Sequence, residues 1–301
     1  MVEANLKERI PRTKDLNMLC GTKILEIEKK TQVMGILNIT PDSFYDGGRY
    51  LKVRDAVKRG LRLIDEGADL VDIGGVSTRP GSEAISVEEE LKRVIPVLKE
   101  LTSQTKRLLS IDTYRAKVVE KALEAGAVMV NDISSLSDKD MARVIASNGA
   151  ALVIMHIRGK PHCYPKNPVY YNLIAEVKSF LERRVEMALK AGVKSSNIII
   201  DPGLGFGKTA WQSLELLMRL GELKVLGLPI MVGPSRKSFI GKISGENAKD
   251  RLPGTLAAVT LAILQGASII RVHDVKEAVQ VATLCDALKE RNGKNYRKTR
   301  F

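Results

Sequence analysis

Residues Ile198-Ile-Ile-Asp201-Pro-Gly-Leu-Gly-Phe-Gly-Lys208 decide how the chain is read. Consecutive isoleucines have the β-branching of a strand buried on both faces. That strand ends in a carboxylate, Asp201, and Pro202 then stops ladder pairing. Gly203, Gly205 and Gly207 let the backbone lie close against a flat ligand. The same punctuation recurs along the chain. Apolar runs at Val33–Leu37, Leu70–Ile73, Leu108–Ile111, Val128–Val130, Ala151–Met155, Ile198–Ile200, Ile230–Val232 and Ile269–Val272 give eight strand candidates. Asn38, Asp72, Asp112, Asn131-Asp132, Asp201, Ser235-Arg236-Lys237 and Arg271-Val-His273 stand at or just beyond their ends.

Between the runs, apolar residues recur at the helical period, as in Val53–Glu66, Val87–Leu101, Ala116–Ala125 and Ile174–Ala191. Several of these segments close on Gly, which tolerates the left-handed backbone of a helix end. Strand and helix alternating eight times predict an α/β protein, a (β/α)8 TIM barrel. An open doubly wound sheet is the alternative. The number of strands, and the lack of a Gly-x-Gly-x-x-Gly opening the first helix, favour the barrel. The expected organisation is an N-terminal extension at residues 1–31, a barrel at 32–290 and a basic C-terminal tail at 291–301. Within the extension, Thr22-Lys-Ile-Leu-Glu-Ile27 reads as a short strand capping the barrel bottom. The Pro-rich connection from His156 to Tyr171 is expected to be long and mobile.

Composition narrows the function. The 301 residues are 44% hydrophobic and only 4% aromatic, so Val, Ile, Leu, Met and Ala must build the core. Cysteines at 20, 163 and 285 form no Cys-x-x-Cys, which argues for a reducing, cytoplasmic setting without structural zinc. The charged N-terminus has no apolar signal core, and Leu256–Ile270 is broken by Gln265-Gly266, so neither targeting nor a membrane span is expected. The net charge of +13 has no basic-aromatic interleaving to suggest nucleic acid. Basic background or thermal adaptation, with part of the excess in the C-terminal tail, is the favoured reading of the charge, and a polyanionic small substrate that it would steer inward is another.

The strand ends supply the chemistry. Asn38 offers an amide oxygen to a hard cation such as Mg2+, or else it and Asp42 only shape a turn. The loop Asp72-Ile-Gly-Gly75-Val-Ser77-Thr78-Arg79-Pro80-Gly81 suits an anion, because N–H groups and a guanidinium can converge there. Asp112 on one strand and Asn131 on the next can read a heterocycle edge, although Asp112 can equally cap the following helix. Asp201, if buried, needs partners. A ring N–H beside an exocyclic amine would satisfy it, and so would a structural pair with Lys208 or Lys237. Lys237 can reach a ring carbonyl, with Ser238 beside it. Strand alternation places Arg271 and His273 on one face, where together they suit a departing diphosphate.

In order along the chain, Met34-Gly-Ile-Leu-Asn-Ile-Thr-Pro-Asp-Ser-Phe44, Asp72-Ile-Gly-Gly75, Ser77-Thr-Arg-Pro-Gly81, Ser110-Ile-Asp-Thr113, Asn131-Asp132, Met155-His156, Asp201–Lys208, Ser235-Arg-Lys-Ser-Phe239 and Arg271-Val-His273 resemble the motifs of the dihydropteroate synthase family. The resemblance spans roughly residues 31–290. It implies a transferase of folate biosynthesis, the target of sulfonamides. Such an enzyme joins 4-aminobenzoate to 6-hydroxymethyl-7,8-dihydropterin pyrophosphate, aided by Mg2+, and works as a homodimer. It also implies roles. Asp112, Asn131, Asp201 and Lys237 would hold the pterin, with Met155 and Phe206 lining its slot. Asn38 would meet the metal, and Asn38, Thr78, Arg79, Arg271 and His273 the diphosphate. Phe44, Thr78, Pro80 and Ser238 would surround the aminobenzoate. Asp46, Arg79, Lys237, Arg271 and His273 would be the catalytic set. Val76 stands where the family commonly has Glu, and residues 156–171 depart from its pattern. A pterin-binding methyltransferase acting between a folate and a corrinoid is the nearest rival, with less reason for the anion sites.

Overall fold

The structure is a computed structural model that describes residues 17–20, 23–27, 29–39, 49–77, 85–165 and 167–295. A hairpin of β1 (Asn17–Cys20) and β2 (Lys23–Glu26) comes first. The barrel strands follow, each trailed by helix: β3 (Gln32–Asn38), α1 (Arg49–Asp65), β4 (Leu70–Gly74), α2 (Val87–Gln104), β5 (Leu108–Asp112), α3 (Ala116–Glu124), β6 (Met129–Asp132) and α4 (Met141–Asn148). Then come β7 (Ala151–Met155), α5 (Leu173–Lys190), β8 (Ile198–Asp201), α6 (Ala210–Met218), β9 (Met231–Val232), α7 (Ser238–Ser244), α8 (Leu252–Gln265), β10 (Ile269–Val272) and α9 (Val275–Asn295). The last helix therefore carries the chain past the boundary expected at residue 290.

The strands are parallel and ordered β8-β7-β6-β5-β4-β3-β10-β9. The seam between β8 and β9 is joined by a parallel bridge from Ile200 to Ile230, with Ile200 N–H donating to Pro229 O at 2.9 Å. The sheet thus closes into the expected (β/α)8 barrel, with its edge strands consumed.

Alternation along the strands sorts the residues into two sets. Val71, Ile73, Leu109, Ile111, Val130, Leu152, Ile198 and Ile200 pack outward into the helix-facing core. Leu70, Leu108, Met129, Ala151, Ile199, Met231 and Ile269 point inward and form a floor. Met18, Cys20, Leu25 and Ile27 join that floor, so the strand expected there, found as β2 over Lys23–Glu26, does cap the bottom, as half of a hairpin. Burial of the Cys20 thiol there pushes it up to about 12, which leaves it an inert core side chain.

A step of two residues up each strand from this floor reaches Asp72, Ser110, Asn131, Val153, Asp201 and Arg271. A parallel barrel has apolar side chains below because they exclude water there, and its polar ones lie where the strands open into loops.

Candidate functional site

Register sets the height of each side chain at the mouth. Gly74, Asp112 and Asn131 are paired across β4, β5 and β6, while Asp72 lies one layer deeper, beside Ser110. A Cβ placed on Gly74 would meet Asp112 Oδ2 at 3.5 Å and Asn38 Oδ1 at 3.6 Å. Asn38 and Asp112 therefore face the same space, and glycine keeps it open.

Arg271 ties this side together. Its Nε donates to Asp72 Oδ2 at 2.7 Å and its Nη2 to Asp112 Oδ2 at 2.7 Å. Asn131 Nδ2 donates to the same Asp72 oxygen at 2.9 Å. The Asn131 amide is thereby oriented with its nitrogen toward the barrel interior, which leaves its oxygen as the group to present to a ligand. The alternative of Asp112 as a helix cap is not what forms. Asp138 Oδ2 accepts from Ala116 N at 2.9 Å, at the start of α3, while Asp112 turns to Arg271. Nor is Arg271 a bare anion hook, since two carboxylates occupy part of its fork. Three of a guanidinium's five N–H groups remain beyond those two bonds.

Across the mouth, Asp201 is buried and its Oδ1 accepts from Gly203 N at 2.7 Å. The structural pairings proposed for it do not form within 4.0 Å. Lys208 Nζ lies 2.8 Å from His156 Nδ1 and donates to Gly203 O at 2.8 Å, and Lys237 donates to Leu204 O at 2.5 Å. Lys237 Nζ also sits 4.4 Å from the centre of the Phe206 ring, a cation–π placement. Met155 is the register partner of Asp201 and shares an apolar cluster with Phe206, Tyr114 and Tyr164.

Burial dominates the ionisation of these groups. It pushes Asp112 up to about 7, against the pull of Arg271 and with help from the charge of Asp72. Asp201 is also raised, chiefly by burial, with Lys237 and the Gly203 N–H opposing. Burial lowers Lys237 to about 8, with Asp201 opposing that shift and Arg271 adding to it. Burial works against the charge of Arg271, but Asp72 and Asp112 outweigh it and raise its value. Acidic notch and cationic rim therefore feel each other across one mouth.

At the last strand, His273 N donates to Ser235 Oγ at 3.1 Å, and Ser235 Oγ lies 3.0 Å from His273 Nδ1. The Ser235 hydroxyl thereby holds the imidazole by its Nδ1 edge and fixes the orientation of the ring. Ser238 is exposed as the first residue of α7. Phe44, Asp46, Thr78, Arg79 and Pro80 lie outside the described residues. The connection after β7 is pinned at several points: Lys160 and Cys163 form a bridge, Gln212 Nε2 donates to Pro168 O at 3.0 Å, and the Tyr170 hydroxyl donates to Gly207 O at 3.0 Å.

The sequence placed Asp72 at the head of a loop suited to an anion and did not mark it as a partner of Arg271 and Asn131, the hub it is here. The signal was present, because Leu70-x-Asp72 keeps the same parity as Leu108-x-Ser110-x-Asp112. Asp72 Oδ1 and Ser110 Oγ are buried with no hydrogen-bond partner among the described residues, so the floor of the notch is polar.

Asn38 is a neutral, exposed oxygen donor, and no group of three His, Cys, Asp or Glu that could hold a metal exists among the described residues. That donor set fits a Mg2+ ion carried in by phosphate oxygens, which keeps several waters, and does not fit a protein cage.

Comparison with known proteins shows the family. Residues 34–273 match the sequence profile of the family described as pterin binding enzyme. The dihydropteroate synthase of Synechocystis is 46% identical over 89% of this chain and 93% of its own length. A dihydropteroate synthase of Xanthomonas albilineans, solved with 4-aminobenzoic acid, superposes with a TM-score of 0.85 at 43% identity, covering 93% of this chain and 98% of that one. The Xanthomonas albilineans enzyme in complex with 7,8-dihydropteroate gives 0.82 at 42% identity, covering 90% and 98%.

Proposed function

This chain belongs to the dihydropteroate synthase family of pterin-binding enzymes, and from that premise we propose how its own side chains divide the work. The reaction condenses 6-hydroxymethyl-7,8-dihydropterin pyrophosphate with 4-aminobenzoate, giving 7,8-dihydropteroate and pyrophosphate in folate biosynthesis. The carbon–oxygen bond to the diphosphate breaks first, leaving a pterin-methyl cation; the arylamine nitrogen then bonds to that carbon and loses a proton.

Asp201 accepts from the ring N–H and exocyclic amine of the pterin. Asp112 and the outward oxygen of Asn131 read the neighbouring edge, and Lys237 donates to the ring carbonyl. Met155 and Phe206 wall the flat ring. The unused N–H groups of Arg271, the imidazole of His273, and Thr78 and Arg79 gather around the diphosphate and stabilise its charge as it leaves. Asn38 would help hold a Mg2+ ion, which would neutralise phosphate charge. Phe44, Asp46, Pro80 and Ser238 surround the aminobenzoate. Its amine is nucleophilic without a strong base, and no activated Ser or Cys is required.

The observation that carries this reading is the joining of Asn131 to Arg271 through Asp72, and of Arg271 to Asp112, opposite Asp201 and Lys237. The test is release of pyrophosphate that depends on 4-aminobenzoate. Lys237→Ala and Arg271→Ala are expected to abolish most of it, and full activity in either variant would overturn the assignment.

Among the described residues no helix is long and apolar enough to cross a membrane. We place the enzyme in the cytoplasm, acting on small molecules and not on nucleic acid. The outer helices carry exposed apolar side chains, Trp211 and Met218 on α6 and Leu264 on α8, and we propose a homodimer through outer helices. Sedimentation as a single chain would count against it.

A further inference from the structure

Lys208 is a buried cation that no step above uses. It is 8% exposed, and no carboxylate among the described residues lies within the 4.0 Å of an ion pair. Its Nζ instead approaches three neutral acceptors: His156 Nδ1 at 2.8 Å, Gly203 O at 2.8 Å and Phe206 O at 3.3 Å. An ammonium has three donors and no acceptor, so this set satisfies it fully. Its environment disfavours the charge, first through burial and then through Lys237.

Those acceptors span the glycine loop. Gly203 carries the N–H that Asp201 accepts, Leu204 carries the carbonyl that Lys237 reaches, and Phe206 carries the ring beneath Lys237 Nζ. The third acceptor belongs to β7's exit, where His156 N donates to Asp201 O at 2.8 Å and its ring packs edge-on against Phe180 at 4.8 Å. Burial, and then the charge of Lys208, pulls His156 down to about 2, so the ring stays neutral and its Nδ1 can accept. The lysine therefore bridges the rigid end of one strand to both ends of the loop that follows the next.

We infer that Lys208 is a positioning residue for pterin recognition: its ammonium staples the Gly203–Gly207 loop to His156 and so holds Asp201, Phe206 and Lys237 at their places around the ring. This rests on the pterin-binding reading of the same mouth. A full charge is expensive to bury, and a loop of glycines has many conformations to lose, so a three-point clamp is the physical means of holding it.

The test compares wild type, Lys208→Met, His156→Leu and His156→Gln. Affinity for the pterin pyrophosphate is measured by calorimetry, and KM and kcat in steady state. Lys208→Met keeps the stem and removes every donor. Its pterin Kd and KM are expected to rise about tenfold or more, with kcat at saturation changed much less. His156→Leu is expected to weaken binding in the same direction, and His156→Gln, whose side-chain oxygen still accepts from Nζ, to restore it. The histidine pair carries the test if Lys208→Met does not fold. A Lys208→Met enzyme that binds pterin like wild type overturns the inference, as do equal affinities for His156→Leu and His156→Gln. Wild type that fails to bind pterin overturns the functional reading itself.

Discussion

Asp72 Oδ2 receives Arg271 Nε at 2.7 Å and Asn131 Nδ2 at 2.9 Å, so one buried oxygen orients both a cation and an amide of the mouth. Asp72→Asn keeps the shape and removes the charge. Loss of one partner from a buried ion pair leaves Arg271 with Asp112 alone, and stability is expected to fall by about 3 kcal/mol. Denaturant unfolding measures it. A change below about 1 kcal/mol would mean that Asp72 is not the hub, since neutral surface substitutions fall in that range.

Asp201→Asn is expected to weaken pterin binding by about 2–5 kcal/mol, because an acceptor-only carboxylate becomes an amide with one accepting oxygen. Titration calorimetry with the pterin substrate reads this directly. An unchanged dissociation constant would remove Asp201 from the pocket.

The raised Asp112 sets a pH dependence. Between an ordinary carboxylate value near 4 and its native value of about 7, the folded protein holds a proton that the unfolded chain has lost. This group's contribution to stability is therefore present at low pH and is lost as pH rises across that window. Pterin recognition runs the other way, because a carboxylate accepting from N–H groups must be ionised. Affinity is expected to rise as pH passes from about 6 to about 8, and binding at pH 6 to release protons to the buffer. Calorimetry in buffers of different ionisation enthalpy checks the count, and proton uptake would contradict it.

Glycine matters at Gly203 for a specific reason. Its φ is +67°, and an added Cβ would lie 1.9 Å from His156 O. Gly203→Ala must move the loop, taking with it the N–H that Asp201 accepts. We expect a loss of stability above about 2 kcal/mol together with weakened pterin binding. Gly149, at φ +61° with nothing within 4 Å of an added Cβ, is the control. Gly149→Ala is expected to cost only about 1 kcal/mol, as backbone strain without collision, and to leave binding unchanged.

Much of the barrel was legible because burial has a period. The Ile198–Ile200 run and its counterparts announced strands buried on both faces, and alternation with helical segments announced a parallel sheet. The hairpin was half visible. Residues 22–27 read as a strand, but β1 did not, since its register partner and the barrel floor make it one. Strand β9 has only two residues, and the closure beside it rests on the Ile200–Ile230 bridge, a long-range contact that no local pattern encodes.

By itself the sequence determined which residue types reach the mouth. A strand projects alternate side chains to one face, so Asp112, Asn131, Asp201 and Arg271 had to point inward once their strands were placed. Tertiary structure alone decided their partners. Arg271 could have stood as a free anion hook, and Lys208 could have neutralised Asp201. Instead Arg271 spans Asp72 and Asp112, and Lys208 turns to His156 and the loop carbonyls. Hydrogen bonds and ion pairs act over a few ångströms between strands distant in sequence, and only closure of the barrel brings those atoms within that range.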